Sequence, residues 1–159
     1  IAVHSRIIRE YIKSGDIKIA NNLLGKEYKI YGQQIKGQGL GAKSFVPTIN
    51  LKVDEFLLPN EGVYITKTIL DEKEFNSITF LGHRVTTDGS YAVETHIIDE
   101  DIKNSDYTTQ IKFYEKLRDN QKFDSFEELK NQILDDINLA KKYRFLLYKK
   151  CAILWKNIA

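Results

Sequence analysis

The sequence predicts a mainly β domain: an antiparallel sheet closed into a barrel, preceded by a short helical hairpin and followed by one helix. Three observations lead there. From Tyr28 onward, apolar residues recur at every second position in six short runs. Turn-forming residues separate those runs, and no helical pattern lies between them. Helical spacing is confined to the two ends of the chain. Six short strands without crossover helices argue for antiparallel pairing, and closing the sheet removes its exposed edges. The periodicity itself gives no strand order.

At the N-terminus, His4 through Ile12 reads as a short helix, with Ser5 as its cap and Ile8 and Ile12 on one face. Ser14-Gly15-Asp16 breaks it. A second helix carries Ile17, Ala20, Leu23 and Leu24 at helical spacing and stops at Gly25. The predicted strands run from Tyr28 to Ile35, Ile49 to Val53, Val63 to Leu70, Ser77 to Leu81, Tyr91 to Ile98 and Ile111 to Leu117. The charged stretch Asp71 to Glu74 makes a hairpin connection, and Thr86 to Ser90, with its Asp88-Gly89, makes another turn. Ser125 and Glu128 form a capping-box pattern ahead of a helix whose apolar face, Leu129, Ile133, Ile137 and Ala140, continues to about Tyr143. Beyond it Phe145, Tyr148, Ala152 and Trp155 keep helical spacing, so 144–159 is expected as a helical tail with a solvated basic face.

A chain of 159 residues is about one domain, large enough for one real core. A formal net charge of +2 is too mild to argue for nucleic acid. The single Cys151 cannot form an internal disulfide, which suits a reducing cytosol, so a cytoplasmic location is expected. No run reaches the apolar length of a membrane span and the start carries no secretory pattern, so no membrane partner is expected. The chain begins at Ile1 and contains no methionine, and it reads as a fragment of a longer protein.

The most informative stretch is Lys36-Gly37-Gln38-Gly39-Leu40-Gly41-Ala42-Lys43-Ser44-Phe45-Val46-Pro47-Thr48-Ile49-Asn50-Leu51. Three alternating glycines let backbone N–H groups approach a ligand closely, and with Lys43 beside them they suit phosphate oxygens. The loop lacks the lysine-serine/threonine ending of the P-loop and the spacing of the dinucleotide fingerprint, and a plain flexible loop stays open on spacing alone. Pro47 has no N–H and suits the start of a strand. Period two then puts Thr48 and Asn50 on one face and Ile49 and Leu51 on the other. A hydroxyl and an amide oxygen beside a phosphate loop suit Mg²⁺, a cation that prefers oxygen and keeps several waters.

These residues resemble the glycine loop and Pro-Thr-Ala-Asn motif of riboflavin kinases. Later stretches follow in the same order: Gly62-Val63-Tyr64, Gly82-His83-Arg84-Val85-Thr86, Val93 to Asp99, and Leu117-Arg118 through Phe123. The likeness covers roughly 20–143. Ile49 replaces the usual alanine, Phe45-Val46 stands where Gly-Phe is usual, and Val85 replaces a proline. These departures bear on loop shape rather than on the polar groups.

The resemblance implies a six-stranded Greek-key barrel that uses ATP, Mg²⁺ and riboflavin and releases FMN. It implies Gly37, Gly39, Gly41, Lys43, Pro47, Thr48 and Asn50 at the nucleotide, with Thr48 and Asn50 also on the metal. Glu94 falls at the family's catalytic glutamate, a general base for the ribityl hydroxyl. Arg118 and Phe123 fall in a flavin-side loop, with Tyr107 as a further aromatic candidate. Residues 1–25 resemble the junction of bifunctional FAD synthetases. They would be a helical linker from an adenylyltransferase module outside this sequence, joined to a kinase barrel with its helix at 26–143. Read without the resemblance, Glu94 and His96 are two polar residues on a solvated strand face. His96 is expected to serve packing or support, and His4 and His83 to be ordinary surface or loop residues. Two other functions compete with the kinase: a non-catalytic flavin-binding barrel, and a structural domain whose glycine loop is only a turn.

Overall fold

The computed structural model describes residues 5–37, 46–102 and 108–145. In chain order the elements are α1 (Ser5–Ser14), α2 (Ile17–Leu24), β1 (Tyr28–Ile35), β2 (Ile49–Lys52), β3 (Gly62–Leu70), β4 (Lys73–His83), β5 (Tyr91–Ile97), β6 (Thr108–Arg118) and α3 (Phe126–Lys141). The strands close into a barrel of order β1-β2-β5-β4-β3-β6, every pair antiparallel. β3, β4 and β5 follow one another by hairpins, while β2 lies beside β5 although it precedes β3. That arrangement is a Greek key.

Strand β4 is longer than its hydropathy predicts. Asp71 and Glu72 alone make the turn, both at positive φ (46° and 63°), as a two-residue hairpin loop demands. Lys73 and Glu74 therefore belong to the strand, where Glu74 meets Lys67 at 2.9 Å and Lys112 at 2.8 Å on the outer face. β6 likewise starts at Thr108, three residues before its apolar run, because Thr108–Gln110 pair with β1.

Alternation along the strands creates two cores rather than one. Inward residues such as Ile30, Ile49, Leu51, Tyr64, Leu81, Val93, Ile111 and Phe113 fill the barrel, and Ile12, Ile17 and Ala20 of the helical hairpin close over one end. Asn21 of α2 is fully buried there. Its amide donates to the Phe113 carbonyl (2.8 Å) and its oxygen accepts from the Tyr28 N–H (2.7 Å), which ties the helix to the β1–β6 seam. Outward residues Val63, Ile65, Ile78 and Tyr114 pack against Ile137 and Ala140 of α3. Ser125 caps that helix by accepting from the Glu128 N–H at 3.2 Å, and Glu128 accepts in turn from the Asp124 N–H at 3.1 Å. Residues 143–145 have no regular structure, and the rest of the expected helical tail lies outside the described residues. No helix among the described residues is long and apolar enough to cross a membrane.

The barrel interior also holds a polar ring. Thr79 donates to Thr95 (3.0 Å), and contacts from Thr95 to Thr68 (3.1 Å), Thr68 to Ser77, Ser77 to Thr66 and Thr66 to Thr79 (2.8 Å each) close the circuit. A hydroxyl has one proton to give, and Thr95 stands 3.3 Å from the Ile78 carbonyl, to which it donates while accepting from Thr79 and Thr68. All five are at most 1% exposed. A register slip by one residue would turn them out and break the ring. Thr79→Val keeps the shape and β-branching but strands two partners, so it should cost about 1–3 kcal/mol in urea unfolding. A change below about 0.3 kcal/mol would show that the ring contributes nothing net.

Candidate active site

Between the outer wall of β2, β5 and β4 and the inner face of α3 lies a cleft of about 480 Å³. One end is apolar, walled by Val63, Ile78, Phe80, Leu129 and Ile133. The other carries Lys36, Gly37, Thr48, Asn50, Arg84 and Glu94. The polar end is built by one register. β2 pairs with β5 so that Ile49 faces Thr95 and Asn50 faces Glu94. Ile49 and Thr95 point into the barrel, so the next pair, Asn50 and Glu94, must point out together into the cleft. Phe80 of β4 stands on the far side of Glu94 and begins the apolar wall.

Arg84, which the sequence reading left without a role, joins the two. Its Nε and Nη2 donate to Glu94 Oε1 at 2.9 and 2.6 Å, its Nη2 also to Asn50 Oδ1 at 2.9 Å, and its Nη1 to Ser90 Oγ at 2.8 Å. Ser90 donates onward to Asp88 at 2.8 Å, and the Arg84 N–H donates to the Ser90 carbonyl at 2.9 Å, so the β4–β5 connection holds the guanidinium from behind. Glu94 Oε2 is left without a protein donor among the described residues. The signal for Arg84 lay inside the Gly82-His83-Arg84-Val85-Thr86 stretch.

Gly37 lies against this group. A Cβ there would run into the Asn50 side chain, touching its amide nitrogen and lying 2.9 Å from its Cγ. Thr48 is half-buried at the cleft wall one residue before β2, and Pro47 is exposed beside it. His96, outward on β5 like Glu94, bonds through Nδ1 to the Pro47 carbonyl at 2.8 Å and fixes the entry to β2. Gly39, Gly41, Lys43, Tyr107 and His4 lie outside the described residues.

Elsewhere in the cleft lining, Arg118 Nε reaches both oxygens of Asp136 (3.1 and 3.0 Å), Nη2 reaches Oδ2 at 2.9 Å, and Nη1 donates to the Asp119 carbonyl at 3.1 Å. Its donors therefore serve to hold α3 to the end of β6. Asp136 is 1% exposed and also accepts from Gln132 at 3.0 Å, so its buried charge is paired and hydrogen-bonded. Arg118 stacks 5.7 Å from the Phe123 ring, and both line the cleft. Asp136 was discoverable: it falls at helical spacing with Leu129, Ile133 and Ala140, an acid on an apolar face.

A latch secures the rim. Glu61 Oε1 meets His83 Nδ1 at 2.7 Å, and Oε2 accepts from the His83 N–H (3.2 Å) and Asn120 Nδ2 (3.0 Å). Asn120 also donates to the His83 carbonyl at 2.8 Å, so His83 is part of the rim rather than an ordinary loop residue. Gly82, at φ 141°, leaves the room Glu61 needs: a Cβ there would stand 2.7 Å from Oε2. The Asn120 hydrogen bond, followed by those from His83, lowers the Glu61 carboxyl below its ordinary value of 4.5 against an opposing effect of burial. A carboxyl lowered on folding stabilises the fold fully above that value and loses its contribution as pH falls through the folded one. The stability gap between wild type and Glu61→Gln should thus be at its full width from about pH 5 upward and shrink on acidification from there in thermal unfolding. An unchanged gap would show that the latch does not hold a lowered carboxylate.

A model of the riboflavin kinase (flavokinase) family matches residues 24–144. The bifunctional riboflavin kinase/FMN adenylyltransferase of Haemophilus influenzae is 36% identical over 143 residues, covering 89% of this chain and 46% of that protein. The protein of the same name from Buchnera aphidicola (Acyrthosiphon pisum) is 33% identical over 147 residues, covering 90% and 47%. The chain spans about half the length of the curated relatives it matches. A crystal structure described as a macrolide-efflux protein from Streptococcus pneumoniae shares the fold at a TM-score of 0.82, with 28% identity over 89% of this chain and 47% of that one. The matched range takes in every strand, α3 and every residue of the cleft. The chain belongs to the riboflavin kinase family.

Proposed function

We propose that the chain transfers the γ-phosphate of ATP to the primary hydroxyl at the end of riboflavin's ribityl chain, giving FMN and ADP. The observation that carries this reading is the outward pairing of Asn50 with Glu94 at the polar mouth of a cleft whose other end is apolar. A vitamin with a flat aromatic ring and a hydroxylated tail matches that division. The ring would lie between Phe80 and α3, near Phe123 and Arg118, and the tail would reach Glu94.

Glu94 would accept the proton of the attacking hydroxyl through Oε2, the oxygen that no described residue donates to while Arg84 holds Oε1. A base of this kind contributes about 10²–10⁴-fold once it is within hydrogen-bond reach. The glycine loop would place N–H groups and Lys43 on the nucleotide phosphates. The donor chemistry fits a divalent ion at Thr48 and Asn50. Asn50 Oδ1 faces the cleft and already attracts a cation, the Arg84 guanidinium. Thr48 and Asn50 would hold Mg²⁺ there, and the ion would supply positive charge against the transferred group. What remains for the protein is in-line placement of the acceptor.

By the same reading, residues 1–25 link this module to an adenylyltransferase module like that named in its relatives, 26–143 form the kinase unit, and 144–159 its tail. The cytoplasm, where ATP and a reduced Cys151 coexist, is the matching compartment.

Glu94→Gln should lower FMN formation by about 10²-fold or more while riboflavin and Mg²⁺–ATP still produce thermal shifts. Wild-type turnover in that variant would remove Glu94 from the chemistry. Riboflavin binding by the wild-type chain with no release of ADP would favour the non-catalytic flavin-binding barrel. Gly37→Ala, by pushing on Asn50, should weaken Mg²⁺–ADP binding in calorimetry by about 10-fold. Unchanged affinity would place the nucleotide elsewhere.

A further inference from the structure

The Arg84 fork poses a conflict for the site as proposed. Its Nη2 donates to Asn50 Oδ1, the same amide oxygen assigned to the metal. An ion about 2.1 Å from that oxygen would lie within about 5 Å of the guanidinium, and like charges at that range repel strongly in a partly buried site. Arg84 and Glu94 are only 18% and 24% exposed, so solvent screens the pair weakly. Two cations sharing this one oxygen would repel each other at short range.

We propose that Arg84 is a resident cation exchanged for the metal: it holds Asn50 and Glu94 in their working geometry until the metal–nucleotide arrives, then gives up Asn50 Oδ1 to the incoming ion. This rests on the assignment of Thr48 and Asn50 as metal ligands. Three features support it. The guanidinium bridges the two strands through Asn50 and Glu94, whose side chains are cross-strand neighbours. It grips Glu94 by one oxygen only, which leaves the other for the acceptor hydroxyl. Its remaining nitrogen is held by Ser90 on the β4–β5 connection, so the side chain keeps an anchor at the cleft mouth when it lets go of Asn50. Without such a bridge, an amide oxygen and a carboxylate on facing positions would turn apart toward water. Arg84 is thus a positioning residue that acts through Asn50 and Glu94.

The test measures how much Mg²⁺ strengthens ADP binding, as the ratio of calorimetric Kd values in EDTA and in saturating Mg²⁺. Any general attraction between Arg84 and the phosphates enters both values and cancels in the ratio. With Arg84→Met, the metal meets no competitor and the ratio should rise by about 5-fold or more over wild type. At the same time kcat should fall by about 10²-fold as Glu94 loses its orientation, with Arg84→Lys recovering part of it. A purely structural role would not move the ratio upward. A second reading on the wild-type protein covers the case in which the variants are too unstable to titrate. The Arg84 Nη2–H resonances, which report the bond to Asn50 Oδ1, should change on addition of Mg²⁺–ADP and stay in place with ADP and EDTA. An unchanged ratio, or a resonance indifferent to Mg²⁺–ADP at saturation, overturns the exchange. If Mg²⁺ leaves ADP affinity unchanged even in wild type, the metal assignment itself fails, and the exchange falls with it.

Discussion

The register between β2 and β5 is the constraint on which the rest of the molecule depends. The two strands share two residue pairs, and those pairs have opposite duties. Ile49 and Thr95 belong to the interior, one in the apolar core and the other in the hydroxyl ring. Asn50 and Glu94 belong to the cleft. Because side chains alternate with a period of two, fixing the inner pair fixes the outer one. The site inherits its outward aim from the barrel, and Arg84 then ties the two side chains together. The hydroxyl ring matters here for the same reason: Thr95 is a member of it, and its partners on β3 and β4 hold β5 in register from the other side.

A barrel whose inside is full has no room for a substrate, so the ligand space must be made outside it. α3 supplies that space. It packs on the outer wall through Ile137 and Ala140, is pinned at Asp136 by Arg118, and leaves its first turns standing off the sheet. The cleft is therefore apolar where helix and sheet converge and polar where the wall runs on past the helix to Arg84 and Asn50. The Glu61 latch holds together three segments that border this space: the approach to β3, the end of β4 and the stretch after β6.

Much of this was legible in the chain. The strand β1 coincides with its apolar alternation, and α3 with its capping signal. The split between Thr48 with Asn50 and Ile49 with Leu51 followed from period two alone. The misreadings have common causes. Lys73 and Glu74 look like turn residues because hydropathy cannot see the lysines that Glu74 meets across the sheet. The barrel's second core was hidden because both faces of β3 are buried, so its alternation carries no inside-outside label. Thr66, Thr68, Ser77, Thr79 and Thr95 are individually polar, and only the closed fold makes them satisfy one another. Arg84 escaped because a lone arginine after a strand is usually solvated, and its partners are ten and thirty-four residues away.

The central claim is spatial, and a crystal structure with Mg²⁺, ADP and riboflavin bound tests it most directly. The account predicts the ribityl terminal hydroxyl about 2.6–3.2 Å from a Glu94 oxygen, the metal on Asn50 and Thr48, and the flavin ring between Phe80 and α3. Ligands seated on any other face of the barrel, or a hydroxyl pointing away from Glu94, would contradict it.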